Sequence, residues 1–277
     1  MRKVFGCMLA AMLIVGCTGK GKGDKTETEE LDSLISQPTD TMLLVNDEEE
    51  RPIPKAADEL FDDFLFNFMR SRKVQTSRIN FPLSTYCDGK KSVVVKDDWK
   101  FDRLFSDCET YIALYDNKAQ ASMEKDTTLK AATFEWIDLG AQRVKKYSFK
   151  RSEGKWALGA ITTEAIGHDN ASDFFAFYHK FVSDSAYQYS HVSNELRFVT
   201  VDPDDEFEKI EGTLDVDQWF EFRPQLPSGR IAVINYGQSY KNGNQKVMTM
   251  NGTSNSMQAT FVFRRVDGEW MLTSYEN

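Results

Sequence analysis

Apolar residues recur at helical spacing in two segments of the chain, 113 residues apart. In each segment they repeat every three or four positions, which is the pattern of an amphipathic helix. The matched positions are Phe61, Phe64, Leu65, Phe68 and Met69 in the first segment and Phe174, Phe177, Tyr178, Phe181 and Val182 in the second. The pattern predicts an aromatic-rich helix in each half of the chain, followed by a shorter second helix.

After these helices the pattern changes to runs of β-branched and aromatic residues bounded by Gly, Asn and Asp, which predict strands. The runs read KSVVVKD, TYIALYD and TLKAATFEWIDL in the first half and GRIAVINYG and QKVMTMNG in the second. Two further stretches, YSFKRSEGKWAL from Tyr147 and FVFRRVDGEWML from Phe261, match at a spacing of 114 residues. They predict the same strand–turn–strand hairpin at the end of each half.

The repeated order predicts an α+β protein with two tandem modules, residues 57–166 and 168–277, each a helix packed on a curved, mainly antiparallel sheet. The second copy carries about six extra residues near VDPDDEFEKIEG. Only AIGHDNA, residues 165–171, connects the modules. So short a connection predicts that they pack into one rigid unit.

This order of elements resembles the nuclear transport factor 2-like, or cystatin-like, fold, in which a curved sheet wraps around a long helix. The last two strands of that superfamily often read F-x-R-x-x-G-x-W, as at Phe149–Trp156 and Phe263–Trp270. With its N-terminus included, the chain resembles an uncharacterised family of bacterial lipoproteins known as a domain of unknown function. These motifs are structural, so the resemblance implies the fold and not an activity.

The N-terminal residues predict where the protein is located in the cell. MRK is followed by thirteen mostly apolar residues, Val4–Gly16, and then by Cys17. Thirteen residues are too few to span a bilayer but suit the core of a signal peptide. The run LIVGC resembles a bacterial lipobox, which implies removal of residues 1–16 and acylation of Cys17; the alternative is an ordinary secretory signal with an incidental cysteine. By resemblance to the sorting rule of bacterial lipoproteins, Thr18 in place of Asp favours the outer membrane of the cell envelope.

Net charge is −9, and much of it lies in residues 18–56, which carry ten acids and five bases. Together with Cys17 this Gly-, Thr- and acid-rich stretch predicts a disordered tether, residues 17–56, that holds the modules away from the membrane. The rest of the chain is still acidic. The composition therefore argues against a nucleic-acid partner, which needs a basic face.

Candidate catalytic chemistry is sparse. The fold resemblance implies cofactor-free pockets that use a buried Asp, Tyr or His, and Glu135 is the best candidate because it alternates with apolar or small residues from Leu129 to Ile137. If that face points inward, Glu135 is a buried acid. The pattern favours the other orientation, in which Phe134 and Trp136 point inward and Glu135 faces solvent, since aromatic side chains are preferred in a core.

Candidate ligand-binding residues are Tyr178, Tyr187 and His191. His191 matches Arg78, so both halves place a cation there: it could orient an anionic ligand or simply end a helix. The five tryptophans could stack on a ligand, but their matched positions favour core packing. The spacings of metal sites and phosphate loops do not occur, so no metal and no cofactor are predicted.

Cys87 and Cys108 are the thiols that remain after processing, at the edges of predicted strands. Outside the cytosol they could form a disulfide. Two buried unpaired thiols are the other ordinary outcome, because the second half has no cysteine and closes the same fold.

These observations predict a lipid-anchored envelope protein whose two modules bind a small ligand or an envelope protein partner, and they favour binding over an enzymatic role. The alternatives are a small-molecule hydrolase, isomerase or dehydratase with a pocket in one module, and a structural accessory subunit. The direction in which Glu135 points would separate them.

Overall fold

Two pairs of helices begin the two halves of the structure. The computed structural model describes residues 58–167, 171–205 and 207–277; the signal peptide, Cys17 and the tether lie outside these residues. The helices are α1 (Phe61–Arg70), α2 (Arg72–Ser77), α3 (Ser172–Ser183), α4 (Ser185–Ser190) and α5 (Val216–Phe222). The aromatic-rich helices and the shorter helix after each of them are thus confirmed.

The described part of the chain also contains twelve strands, which include all the runs that the sequence predicts as strands. They are β1 (Ile79–Cys87), β2 (Lys90–Val94), β3 (Thr110–Tyr115), β4 (Ala131–Asp138), β5 (Arg143–Ser152), β6 (Lys155–Ala165), β7 (Val192–Val201), β8 (Lys209–Leu214), β9 (Arg230–Asn235), β10 (Gln245–Gly252), β11 (Gln258–Val266) and β12 (Glu269–Glu276). Both closing hairpins form, as β5–β6 and β11–β12. Register shifts within both hairpins bend the strands.

All twelve strands belong to one sheet, in the order β2-β1-β6-β5-β4-β9-β3-β10-β11-β12-β7-β8. Within the described part of the chain the pairings are antiparallel except β1–β6, β7–β12 and the central pair β3–β9. Strand β9 of the C-terminal half (171–277) lies beside β4 of the N-terminal half (58–167), and β3 lies beside β10. One strand of each half therefore pairs with a strand of the other half.

The shared sheet separates two hydrophobic cores. One core holds the apolar face of α1 with Trp156, and the other holds that of α3 with Trp219 and Trp270. Along β3, Tyr111, Ala113 and Tyr115 belong to the first core and Ile112 and Leu114 to the second. Because side chains alternate along a strand, the two cores lie on opposite faces of the central strands.

The exchange of strands makes the halves inseparable. The described residues all belong to one compact unit, as the short connection predicts. Three tryptophans, Trp156, Trp219 and Trp270, are buried in the cores as predicted, whereas Trp99 and Trp136 are half-buried. No helix among the described residues is both long enough and apolar enough to span a membrane.

The predicted disulfide is absent, because Cys87 and Cys108 are free thiols. Cys87 ends β1, and Cys108 lies just before β3, five strands away in the sheet. With neighbouring strands about 4.8 Å apart, that separation is about 24 Å. A disulfide requires Cα atoms within about 7 Å, so the sheet order itself prevents the bridge.

Candidate functional site

A carboxyl group and three tyrosines meet where α1 approaches the central strands. The hydroxyl of Tyr236 lies 2.8 and 2.9 Å from the two carboxylate oxygens of Asp62. Tyr236 is fully buried, and Asp62 is half-buried in the first turn of α1. Tyr111 and Tyr115 on β3 complete the wall of aromatic rings.

The position of Asp62 follows from the pattern of its helix. Phe61, Phe64 and Leu65 fix the face of α1 that packs on the sheet, and Asp62 borders that face. An acidic residue in a first turn is favourable because the helix dipole is positive there. The helix therefore places this carboxyl at the boundary between core and solvent.

A second carboxyl lies on the same side of the sheet. Oε1 of Glu124 accepts hydrogen bonds from the hydroxyl of Tyr115, at 2.7 Å, and from Oγ1 of Thr249, at 3.1 Å. Asp62 and Glu124 form no ion pair with any cation in the described part of the chain. The site is thus acidic and lined by aromatic rings.

Burial changes the protonation of this site. It raises the pKa of Asp62 from 3.8 to about 7, against the opposing hydrogen bond from Tyr236, and the charge of Glu124 raises it further. Burial also raises the pKa values of Tyr111, Tyr115 and Tyr236 above the ordinary value, so these phenols stay protonated at neutral pH. The arrangement provides a carboxyl that can gain or lose a proton near neutral pH, beside neutral hydroxyl donors.

Both halves of the chain build this site. Asp62, Tyr115 and Glu124 come from the N-terminal half, whereas Tyr236 follows β9 and Thr249 lies on β10. The insertion of β9 between β4 and β3 brings Tyr236 to Asp62. Neither half contains the whole set of residues.

Asp62 is absent from the candidates of the sequence analysis, although the sequence carries a signal for it. At the 113-residue spacing Asp62 matches Phe175, which is buried on α3. A carboxyl at a position where the other half of the chain has a buried phenylalanine marks a departure from core packing. Tyr236 has no comparable signal, because its partner is set by the exchange of strands.

Glu135 is buried, so the interpretation that favoured a solvent-facing position is wrong. Phe134 is also buried, and Trp136 is half-buried, against the N-terminal core. Both faces of β4 are covered, because Phe134 belongs to one core and Ile137 to the other, and Tyr240 lies close enough to interact with Glu135. Burial raises the pKa of Glu135, opposed by Lys146 directly across the β4–β5 pair and by Thr133, whose hydroxyl donates at 2.9 Å.

Tyr178, Tyr187 and His191 make contacts within the protein. Tyr178 is fully buried and donates to the carbonyl of Pro227 at 3.1 Å. The rings of Tyr187 and His191 stack with centroids 3.7 Å apart, and Nδ1 of His191 lies 2.7 Å from the carbonyl of Tyr187. The backbone carbonyl of His191 also accepts from Leu272. These contacts attach the end of α4 to the closing hairpin.

Arg78 has the equivalent place in the N-terminal half. Its guanidinium pairs with Asp58 at 2.7 Å and donates to the carbonyl of Trp156 at 3.2 Å, and its own carbonyl accepts from Leu158. Among the described residues no three His, Cys, Asp or Glu side chains lie close enough together to hold a metal ion.

Stability should fall with rising pH because of Asp62. The folded protein keeps a proton on this carboxyl up to about pH 7, whereas the unfolded chain releases it near its ordinary value of 3.8. Between these values the folded state binds more protons, so raising the pH lowers the free energy of unfolding. We expect a loss of about 1–2 kcal/mol between about pH 4 and pH 8, reduced from the full shift by partial exposure.

Urea unfolding of the wild-type protein and of Asp62→Asn over this range measures the effect. The Asn variant should lose this part of the pH dependence, and Asp63→Asn, on the exposed side of the same helical turn, should keep it. Identical pH profiles for wild type and Asp62→Asn would contradict the protonation assigned to Asp62.

Comparisons with known proteins agree with this fold. The family described as "Domain of unknown function (DUF4348)" matches residues 40–277. The crystal structure of an NTF2-like protein from Bacteroides fragilis NCTC 9343 is 38% identical to this chain, covers 82% of this chain and 98% of its own, and superposes with a TM-score of 0.76. No curated protein matches the chain. The fold is therefore an NTF2-like α+β fold, and the chain belongs to the DUF4348 family.

Proposed function

We propose that this protein binds a small cationic molecule, a protonated amine, at the Asp62–Tyr236 site. The observation that carries the proposal is the half-buried Asp62 carboxyl, hydrogen-bonded to Tyr236 and without a cation of its own among the described residues. Aromatic rings beside a few polar groups are the usual lining of a small-molecule site.

The chemistry of the site favours a cation over an anion or a neutral ligand. Two carboxyls, Asp62 and Glu124, contribute negative charge, and the faces of tyrosine rings attract cations. A bound ammonium group would also favour the ionised form of Asp62. Ligand binding would thus release a proton near neutral pH.

Benzylamine is a suitable probe, with benzyl alcohol as its uncharged counterpart. Calorimetric titration at about pH 8, where Asp62 is ionised, should show binding of benzylamine and at least about tenfold weaker binding of benzyl alcohol. Asp62→Asn should weaken benzylamine binding to a similar degree, and the matched Asp63→Asn should not. Equal binding of both probes, or an unchanged Asp62→Asn variant, would count against a cation site.

An acid–base enzyme is the second candidate function, and the pKa of Asp62 favours it. A carboxyl with a pKa of about 7 can both accept and donate a proton at neutral pH, and the neutral phenol of Tyr236 can donate a hydrogen bond to a substrate oxygen. This would be a cofactor-free hydrolase, isomerase or dehydratase. Asp62→Asn would then abolish turnover while substrate still binds, whereas loss of binding itself supports the first proposal.

We further propose that the protein is anchored to the bacterial cell envelope, outside the cytosol, through an acylated Cys17. The support is the run of apolar residues Val4–Gly16 after a basic start, followed by the tether-like residues 17–56. Two or three acyl chains on one cysteine suffice for stable attachment. The tether would give the ligand site reach from the outer membrane.

Cys17→Ser tests the anchor. Metabolic labelling with a fatty acid should label the wild-type protein and not the variant, and the variant should leave the membrane fraction. Cys7→Ser, which changes a cysteine earlier in the apolar run, should retain the label. A labelled Cys17→Ser protein would show that the lipobox assignment is wrong.

The two halves are proposed to be copies of one NTF2-like module, residues 57–166 and 168–277. Supporting observations are the matched order of helices and strands, the equivalent contacts of Arg78 and His191, and the symmetrical strand order about the β3–β9 pair. In this view the copies exchanged a strand, and only one copy retained a carboxyl at the position of Asp62.

A further inference from the structure

Two glutamines occupy matching places at the helix pairs of the two halves. Gln75 and Gln188 are both buried, and the amide nitrogen of each donates to the carbonyl of the residue seven positions earlier: Phe68 at 3.2 Å and Phe181 at 3.0 Å. These bonds orient both side chains in the same way, so that the oxygen of each amide is available to a second partner.

In the N-terminal half the chain itself supplies that partner. Oε1 of Gln75 accepts from the indole nitrogen of Trp99 and from the backbone nitrogen of Asp102, both at 2.9 Å. The amide nitrogen of Gln75 also donates to the carbonyl of Asp102 at 2.7 Å. The short segment 99–102 therefore covers the glutamine and satisfies it.

In the C-terminal half the corresponding described segment buries the glutamine but does not satisfy its side-chain oxygen. Oε1 of Gln188 is buried and has no hydrogen-bond partner among the described residues. Trp219, which matches Trp99, packs its ring against Tyr275 at 5.3 Å, and its indole nitrogen is also without a described partner. An unsatisfied buried acceptor costs about 1–3 kcal/mol.

A cleft of about 430 Å³ lies beside this glutamine, between the ends of α3, α4 and α5 and the following loop. Its lining residues are Val182, Gln188, Phe220, Arg223, Pro224, Gln225, Leu226 and Ser228. The lining contains one cation and no carboxylate. The guanidinium of Arg223 lies 4.2 Å from the centre of the Phe220 ring, at the side of the cleft.

We propose that this cleft binds a short acidic peptide in extended form. A backbone N–H of the peptide donates to Oε1 of Gln188, as Asp102 does to Gln75, and a peptide carboxylate pairs with Arg223. Gln188 would thus accept a backbone N–H, which is the same group that Gln75 accepts from Asp102. An acidic peptide supplies both groups that this lining lacks: an N–H donor for Gln188 and a carboxylate for Arg223.

The sequence of the segment that covers Gln75 provides the probe. A synthetic acetylated tetrapeptide, Trp-Lys-Phe-Asp, titrated into ¹⁵N-labelled protein should shift the side-chain amide signal of Gln188 and the backbone signals of residues 223–228. Two altered peptides serve as controls: one is N-methylated at the Asp nitrogen, and one has Asn in place of Asp. Each should bind at least about tenfold more weakly than the parent peptide.

Variants of the protein complete the test. Arg223→Ala and Gln188→Met should each weaken binding of the parent peptide by about tenfold, while Arg103→Ala, a mainly exposed arginine of the N-terminal half, should not. Asp62→Asn should leave peptide binding unchanged, so this proposal and the amine site fail or succeed separately. Equal binding of the N-methylated peptide, or absence of saturable shifts at Gln188, would overturn the proposal even if Gln188→Met does not fold.

Discussion

Replacing Trp156 with alanine should lower the free energy of unfolding by about 3–5 kcal/mol, as expected for removal of a fully buried tryptophan. The side chain is 0% exposed, and its ring packs edge-on against Phe61 at 4.9 Å and lies 6.3 Å from Phe64. These three rings join the closing hairpin β5–β6 to α1. The substitution removes that contact and leaves a cavity that the neighbouring rings fill only in part.

Urea unfolding followed by circular dichroism measures the loss, with Phe222→Ala as the control. Phe222 is 61% exposed, so its truncation should change the free energy by less than about 0.5 kcal/mol. Because the halves share one sheet, the Trp156→Ala protein should still unfold in one transition. A loss below about 1 kcal/mol, or separate transitions for the two halves, would contradict the packing described for this core.

Lys246→Met should be comparably destabilising, by about 3–5 kcal/mol, because it breaks a buried ion pair. Lys246 on β10 is 1% exposed and pairs with Asp116 at the end of β3, and it also donates to the carbonyl of Lys241 at 2.9 Å. Methionine fills a similar volume but leaves the Asp116 carboxylate buried without its cation. The pair joins the two halves directly, so its loss should destabilise the whole sheet.

Lys118→Met is the matched control, because it removes a lysine from an exposed ion pair. Lys118 lies 3.0 Å from Glu276, and half of its side chain is exposed, so its removal should cost less than about 1 kcal/mol. The double variant Lys246→Met/Asp116→Asn should recover part of the stability, since no uncompensated charge remains. Equal effects of the two lysine substitutions would show that burial of Lys246 does not matter.

Local patterns in the sequence predict both aromatic-rich helices and both closing hairpins of this fold. The aromatic spacing from Phe61 to Met69 predicts α1, because a helix that buries one face must repeat every three or four residues. The matching segments around Trp156 and Trp270 predict both closing hairpins, since turn residues and the alternation of apolar and polar residues are local signals. These features depend on neighbours in the chain, and the structure contains them as predicted.

The way the halves combine and the groups that form the candidate site depend on contacts between residues far apart in the chain. The alternation in β4 cannot show that both of its faces are covered, so Glu135 was expected to face solvent. The distance between Cys87 and Cys108 depends on strand order, which no local pattern specifies. Tyr236 meets Asp62 because β9 enters the sheet between β4 and β3. Contacts between residues 174 positions apart depend on how strands pair across the whole sheet. That pairing depends in turn on the packing of both complete cores.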